Sequence, residues 1–180
     1  MPTVIDALYA RIAVPGYLGD LTSHSLPDLR ALRADCQRVE DAVSYQRRLV
    51  QGRLDILQAE RDRRAAGQAP ADLQTLVASL PGTLSAGVAG PRRGHTTYEH
   101  ELADAAEVTA DVDAACPPAV LAALPDTAAD ELDQIAERLR ALEVQVSGRR
   151  RMLFDRLDAL ADELGRRYRE GEATVDKLLS

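Results

Sequence analysis

Tryptophan is missing from this chain, phenylalanine occurs once and tyrosine five times, although 46% of its 180 residues are hydrophobic. Aromatic rings supply much of the packed area of a rounded core, so their scarcity argues against a bulky globular interior. Ala, Leu, Arg, Glu and Asp carry the composition instead, as in long helices and coiled coils. The length suggests one domain. Lysine is almost absent as well: of 22 basic residues only Lys177 is a lysine, a bias of genomic base composition rather than of function.

Cysteine is scarce, and Cys36 and Cys116 have no C-x2-C neighbour. They therefore read as buried small hydrophobes rather than as a redox pair or metal ligands. No apolar run approaches the roughly 20 residues of a membrane span, and the N-terminus shows no signal pattern. A cytoplasmic protein with no membrane partner is expected. The net charge of -7 argues against general DNA or RNA binding, which needs a basic footprint; a basic partner suits it better.

Four segments follow from the punctuation of the chain. Residues 1–24 form a short apolar N-terminal segment broken at Pro15-Gly16 and Gly19. Residues 25–66 predict a first long helix: Ser25 is a candidate cap, Asp28 can return a carboxylate to it, and Pro27 sits in the first turn. Leu29, Leu32, Cys36, Val39, Val43, Val50 and Leu57 follow the steps of a heptad seam. Gln46 and Arg53 interrupt that seam at its middle, which suggests a task other than packing. Residues 67–126 hold much of the Gly, Pro, Ser and Thr and predict a partly disordered linker with short helices, one of them over 72–80. Residues 127–178 predict a second long helix, capped by Thr127, with Arg149 and Arg156 where its seam would continue. The expected fold is all-α, a long antiparallel two-helix coiled-coil hairpin with these two appendages.

The chain also repeats itself. Shifted by 103 residues, 28–64 aligns with 131–167 without gaps. Leu29 falls on Leu132, Arg53-Leu54-Asp55 on Arg156-Leu157-Asp158, and Arg64 on Arg167. Heptad periodicity alone would reproduce the leucines; it would not reproduce the polar residues between them. In the first copy these are Glu40, Ser44, Arg47, Gln51 and Asp55, whose steps of 4, 3, 4 and 4 confine them to about 80° of the helix circumference. The stripe is about 22 Å long at the helical rise. The second copy is Glu143, Ser147, Arg150, Phe154 and Asp158, with Phe154 standing where the first copy has Gln51. Surface ion pairs explain a single stripe adequately, at ~0.2–0.5 kcal/mol per pair. Two copies in register, each in the gap of its own seam, favour a site.

Folded back antiparallel, the stripes are related by an approximate two-fold axis, which suits a ligand with the same symmetry. Arg can donate a bidentate pair to guanine O6 and N7, worth ~1–3 kcal/mol of discrimination. A carboxylate can accept from the N1–H and amino group of guanine, and Ser or Gln can bond ribose or phosphate. The charged members of each stripe sum to -1, so phosphates would call on Arg48, Arg149 or Arg151. The Glu is expected to orient the Arg of its own stripe. The two halves are not expected to contribute equally, because Phe154 departs from Gln.

The spelling E-x3-S-x2-R-x3-Q-x3-D, twice on two long helices, resembles the RsiG family of anti-sigma factors from Streptomyces-type actinobacteria. The resemblance implies an antiparallel hairpin holding an intercalated pair of cyclic di-GMP molecules between its helices. It also implies a complex with a WhiG-type sigma factor that represses sporulation transcription, with no direct DNA contact. By that resemblance Glu40, Ser44, Arg47, Gln51, Asp55, Glu143, Ser147, Arg150 and Asp158 would be the cyclic di-GMP residues, with Phe154 stacking or packing against the ligand.

Two other classes compete with this reading. A ligand-free coiled-coil interaction scaffold needs only the ion pairs. A nucleotide-processing enzyme lacks any visible nucleophile, paired-carboxylate cleft or metal spacing; His95 and His100 do not share a helix face, and Pro91-Arg92-Arg93-Gly94 reads as an exposed turn.

Overall fold

A computed structural model of the chain describes residues 4–79 and 102–171. Among them the order is α1 (Val4–Ala13), a 3-10 turn (Leu21–Ser23), α2 (Leu26–Ala65), α3 (Leu73–Ser79), α4 (Leu102–Ala115), α5 (Pro118–Ala122), a second 3-10 turn (Leu124–Asp126) and α6 (Ala129–Arg169). The described residues contain no strand. The fold is all-α, built on the antiparallel hairpin of α2 and α6, as the seams predict. No helix among the described residues is long and apolar enough to cross a membrane.

Helix α2 begins as expected. The Ser25 backbone N–H donates to Asp28 Oδ2 at 3.2 Å, and the Asp28 N–H donates to Ser25 Oγ at 3.3 Å, a reciprocal capping box. It ends where Gly67 takes φ 69°, a conformation glycine adopts without a Cβ penalty. There Gln68 N–H donates to Arg63 O and Gly67 N–H to Arg64 O, each at 3.0 Å, which satisfies carbonyls the helix leaves open.

Two expectations for the second long helix need correction. Thr127 does not cap it: its hydroxyl donates to Ala123 O at 2.9 Å, so Thr127 closes the 3-10 turn, and α6 begins at Ala129. Nor does the helix run to 178. It stops at Arg169, ahead of Gly171 at φ 79°; residues 172–180 lie outside the described ones.

The chain divides into two compact units. The first comprises residues 1–44 and 147–180. Its buried apolar residues are Ile12 of α1, Leu29, Cys36, Val39 and Val43 of α2, and Leu153, Leu157, Leu160 and Leu164 of α6. Here α1 and the residues that follow it meet α6 through aromatic and polar contacts. Arg149 lies 5.0 Å from the Tyr9 ring centre and Arg156 5.6 Å from that of Tyr17, and Arg156 Nη2 donates to Val14 O at 3.2 Å.

The second unit comprises residues 45–146. Its core joins Val50 and Leu57 of α2 and Leu132, Ile135 and Leu139 of α6 to Ala71, Leu76, Val112, Cys116 and Leu124. These last five belong to the segment expected to be a partly disordered linker. Its described part holds the expected short helices, and Val112, Cys116 and Leu124 bring enough apolar surface to be buried in a packed layer. Residues 80–101, with His95, His100 and the 91–94 turn, lie outside the described residues. The seam-breaking Gln46 and Arg53 serve this layer. Arg53 donates to Val112 O at 2.9 Å and to Cys116 O and Asp113, and Gln46 Nε2 donates to Asp111 at 3.4 Å. A cation on the last carbonyls of α4 is the favoured charge at a helix C-terminus.

The duplication thus extends beyond the aligned stripes. The two 3-10 turns lie 103 residues apart, and each is held by the equivalent arginine. In the second unit Arg64 donates to Leu124 O and Thr127 O, each at 2.7 Å, and to the fully buried Glu60. In the first, Arg167 donates to Leu21 O at 2.9 Å, Thr22 O at 3.0 Å and the buried Glu163 at 2.7 Å.

Candidate functional site

In the first unit α2 and α6 bring Glu40, Ser44, Arg150 and Phe154 together. Glu40 is 7% exposed. Its carboxylate accepts from Ser44 Oγ, from Gln37 Nε2 at 3.2 Å and from Arg150 Nε at 3.3 Å. Arg150 Nε also donates to Ser44 Oγ at 2.9 Å, and its guanidinium carbon stands 4.5 Å from the centre of the Phe154 ring. Ser147 is half-buried and Asp158 exposed in the same unit.

The second unit contains the equivalent pair with the motif copies exchanged. Arg47 Nε donates to Glu143 Oε1 at 3.3 Å. Gln51 is half-buried beyond it and Asp55 is exposed.

The structure corrects the expected partner of the glutamate. Glu40 serves Arg150 and Glu143 serves Arg47, each on the other helix, rather than the arginine of its own stripe. The reason is distance. Seven residues separate Glu40 from Arg47, about 10.5 Å along a helix at 1.5 Å per residue, which places Ser44 between them. An antiparallel neighbour brings its own arginine to the same level. That register was the signal available in the sequence, and it could be read only once the hairpin was assumed.

Within each stripe the residues divide by commitment. Glu and Arg are engaged in both copies. Gln51, Asp55 and Asp158 have no hydrogen-bonding partner among the described residues, and neither do the exposed Arg48 and Arg151. Arg149, the third arginine considered for phosphates, is taken by Tyr9. Each unit therefore presents an oriented guanidinium and, among the described residues, an unpaired carboxylate on one stripe, with an exposed arginine next to it in sequence.

The cysteines take no part. Cys36 and Cys116 are buried, and burial pushes both thiols above their ordinary pKa, so they stay protonated. Among the described residues no three His, Cys, Asp or Glu side chains gather as a metal site requires.

Residues 15–84 match the RsiG-like family. The resemblance carried by the first stripe is therefore borne out over that stretch, which contains α2 and the whole first motif copy. The second copy, Glu143 to Asp158, lies beyond the matched residues. No curated protein matches the chain.

Proposed function

From the RsiG-like character of residues 15–84, we propose that this protein is an anti-sigma factor that binds cyclic di-GMP between its two long helices. In the ligand-bound state it holds a flagellar or WhiG-type sigma factor and so represses sporulation transcription. The single observation that carries the ligand is the crossed pairing: Glu40 with Arg150 in one unit, Glu143 with Arg47 in the other. Both arginines meet glutamate through Nε, and at Arg150 this leaves the two terminal nitrogens as one bidentate donor. Guanine offers the matching acceptors, O6 and N7, on one edge. Asp55 and Asp158 supply acceptors for the N1–H and amino group of the base, and Gln51 a donor for ribose or phosphate. Arg48 and Arg151 supply positive charge for the phosphates, since the arginines of the stripes are already neutralised by glutamate.

The competing reading, a scaffold with no ligand, uses the same ion pairs but gives no reason for two unpaired aspartates at equivalent positions. Thermal denaturation with and without cyclic di-GMP separates the two. We expect a ligand-dependent rise in the melting temperature of the parent, lost in Arg47→Ala and Arg150→Ala. An unshifted parent would leave the scaffold as the better description.

A further inference from the structure

The second motif copy departs from the first at one position, and the departure has a structure. Phe154 stands where Gln51 stands in the first copy, and it is 37% exposed, so its ring is not a core residue that strayed into the stripe. The ring lies against Arg150, 4.5 Å from the guanidinium carbon to the ring centre. On another side the Nε of the same guanidinium is occupied by Ser44 and Glu40. Arg150 is thus held by an edge and by a face, which fixes both its position and its plane. The two terminal nitrogens are left as the open donor edge; they have no hydrogen-bond acceptor among the described residues.

We propose that Phe154 is a positioning residue for Arg150, a π-face that sets the guanidinium plane in which the terminal nitrogens donate to a planar two-acceptor edge, here the O6/N7 edge of guanine. The assignment of that edge to guanine rests on the function proposed above; the positioning of Arg150 does not. All four participants, Glu40, Ser44, Arg150 and Phe154, lie in one unit. At the first copy the equivalent position is Gln51, which has no ring to offer Arg47. The two copies are therefore not equivalent: in the first unit a ring faces the arginine, and in the second a polar side chain stands at the corresponding position.

The attraction of a cation to an aromatic face at a partly exposed position is worth ~0.5–1 kcal/mol, about two- to five-fold in an equilibrium. It depends on the ring rather than on apolar volume. Phe154→Tyr keeps the face and should behave as the parent. Phe154→Leu keeps apolar bulk without the face and should lose the effect.

The test has two readouts on the full chain. In the free protein, nitrogen-15 NMR of the arginine side chains follows the Arg150 Nε–H, assigned by its loss in Arg150→Lys. We expect a narrow, exchange-protected signal in the parent and in Phe154→Tyr, broadened or lost in Phe154→Leu. In calorimetric titrations, cyclic di-GMP and cyclic di-AMP are compared. We expect the preference for the guanine ligand to fall by about two- to five-fold in Phe154→Leu and to be retained in Phe154→Tyr. An Arg150 signal unchanged in Phe154→Leu overturns the inference whatever the ligand does. A parent that binds neither dinucleotide, with the signal still lost in Phe154→Leu, overturns the assigned ligand and leaves the positioning role standing.

Discussion

Glu163 shows how much one side chain carries at an equivalent pair of positions. It is buried, and hydrogen bonds from Arg166 and then Arg167 hold its carboxyl down to about 2. Arg166 is pushed upward in turn, chiefly by its bond to Glu163. Arg167 passes the connection on to Leu21 O and Thr22 O, so the charge of Glu163 anchors the turn that leads into α2. Because the folded-state pKa lies below the ordinary 4.5, the stabilisation is complete above that value and disappears as the pH falls towards 2. Urea denaturation at a series of pH values should show stability declining through that window, and Glu163→Gln should flatten the decline. An unchanged acid limb in the variant would mean that another carboxylate governs it. At this scale the sequence was legible in part. The motif residues announced themselves by recurring, whereas the partners of Glu40 and Glu143 depended on the other long helix, 110 and 96 residues away along the chain.

The long helices were the most legible elements. Heptad spacing, the Ser25/Asp28 box and the flanking Gly and Pro place α2 to within a residue or two, and the seam of α6 is equally plain. Their seam breaks were misread as one feature with one purpose. Gln46 and Arg53 receive α4, and Arg149 and Arg156 receive the α1 segment; only the residues between them form the stripe. A lone arginine at a heptad position cannot reveal which helix end it will cap, so the packing of α4 was hidden even though its apolar residues were in view. The centre of the hairpin carries a further trait: Gly52 in α2 and Gly148 in α6 both have helical backbone, and a Cβ at either would meet nothing within 4 Å. Replacing a helical glycine with alanine at an open site stabilises by about 0.5–1 kcal/mol. Gly52→Ala and Gly148→Ala should each raise the melting temperature of the free protein. A fall would show that the backbone there departs from ordinary helix in solution.

At the scale of the molecule, the duplication is interleaved rather than placed end to end. The first unit takes the N-terminal half of α2 with the C-terminal half of α6, and the second takes the remaining halves. Both long helices contribute to both units, and each unit has one crossed Glu–Arg pair, so neither repeat can complete a pair alone. A ligand that depends on such a pair binds well only when α2 and α6 are in register within that unit. A sigma factor that prefers the same closed hairpin must then bind more tightly when ligand is present, and by linkage it must tighten ligand binding by the same factor. Couplings of this kind run to about 5–150-fold. Calorimetric titration of a WhiG-type sigma factor into the protein, with and without saturating cyclic di-GMP, measures the first factor. Titration of cyclic di-GMP into the free protein and into the sigma complex measures the second. The two should agree within error and exceed one, and Arg47→Ala should reduce both together, since Arg47 acts on the closed register through Glu143. Equal sigma affinity with and without the dinucleotide would remove the ligand from the regulation and return the protein to a constitutive partner of sigma.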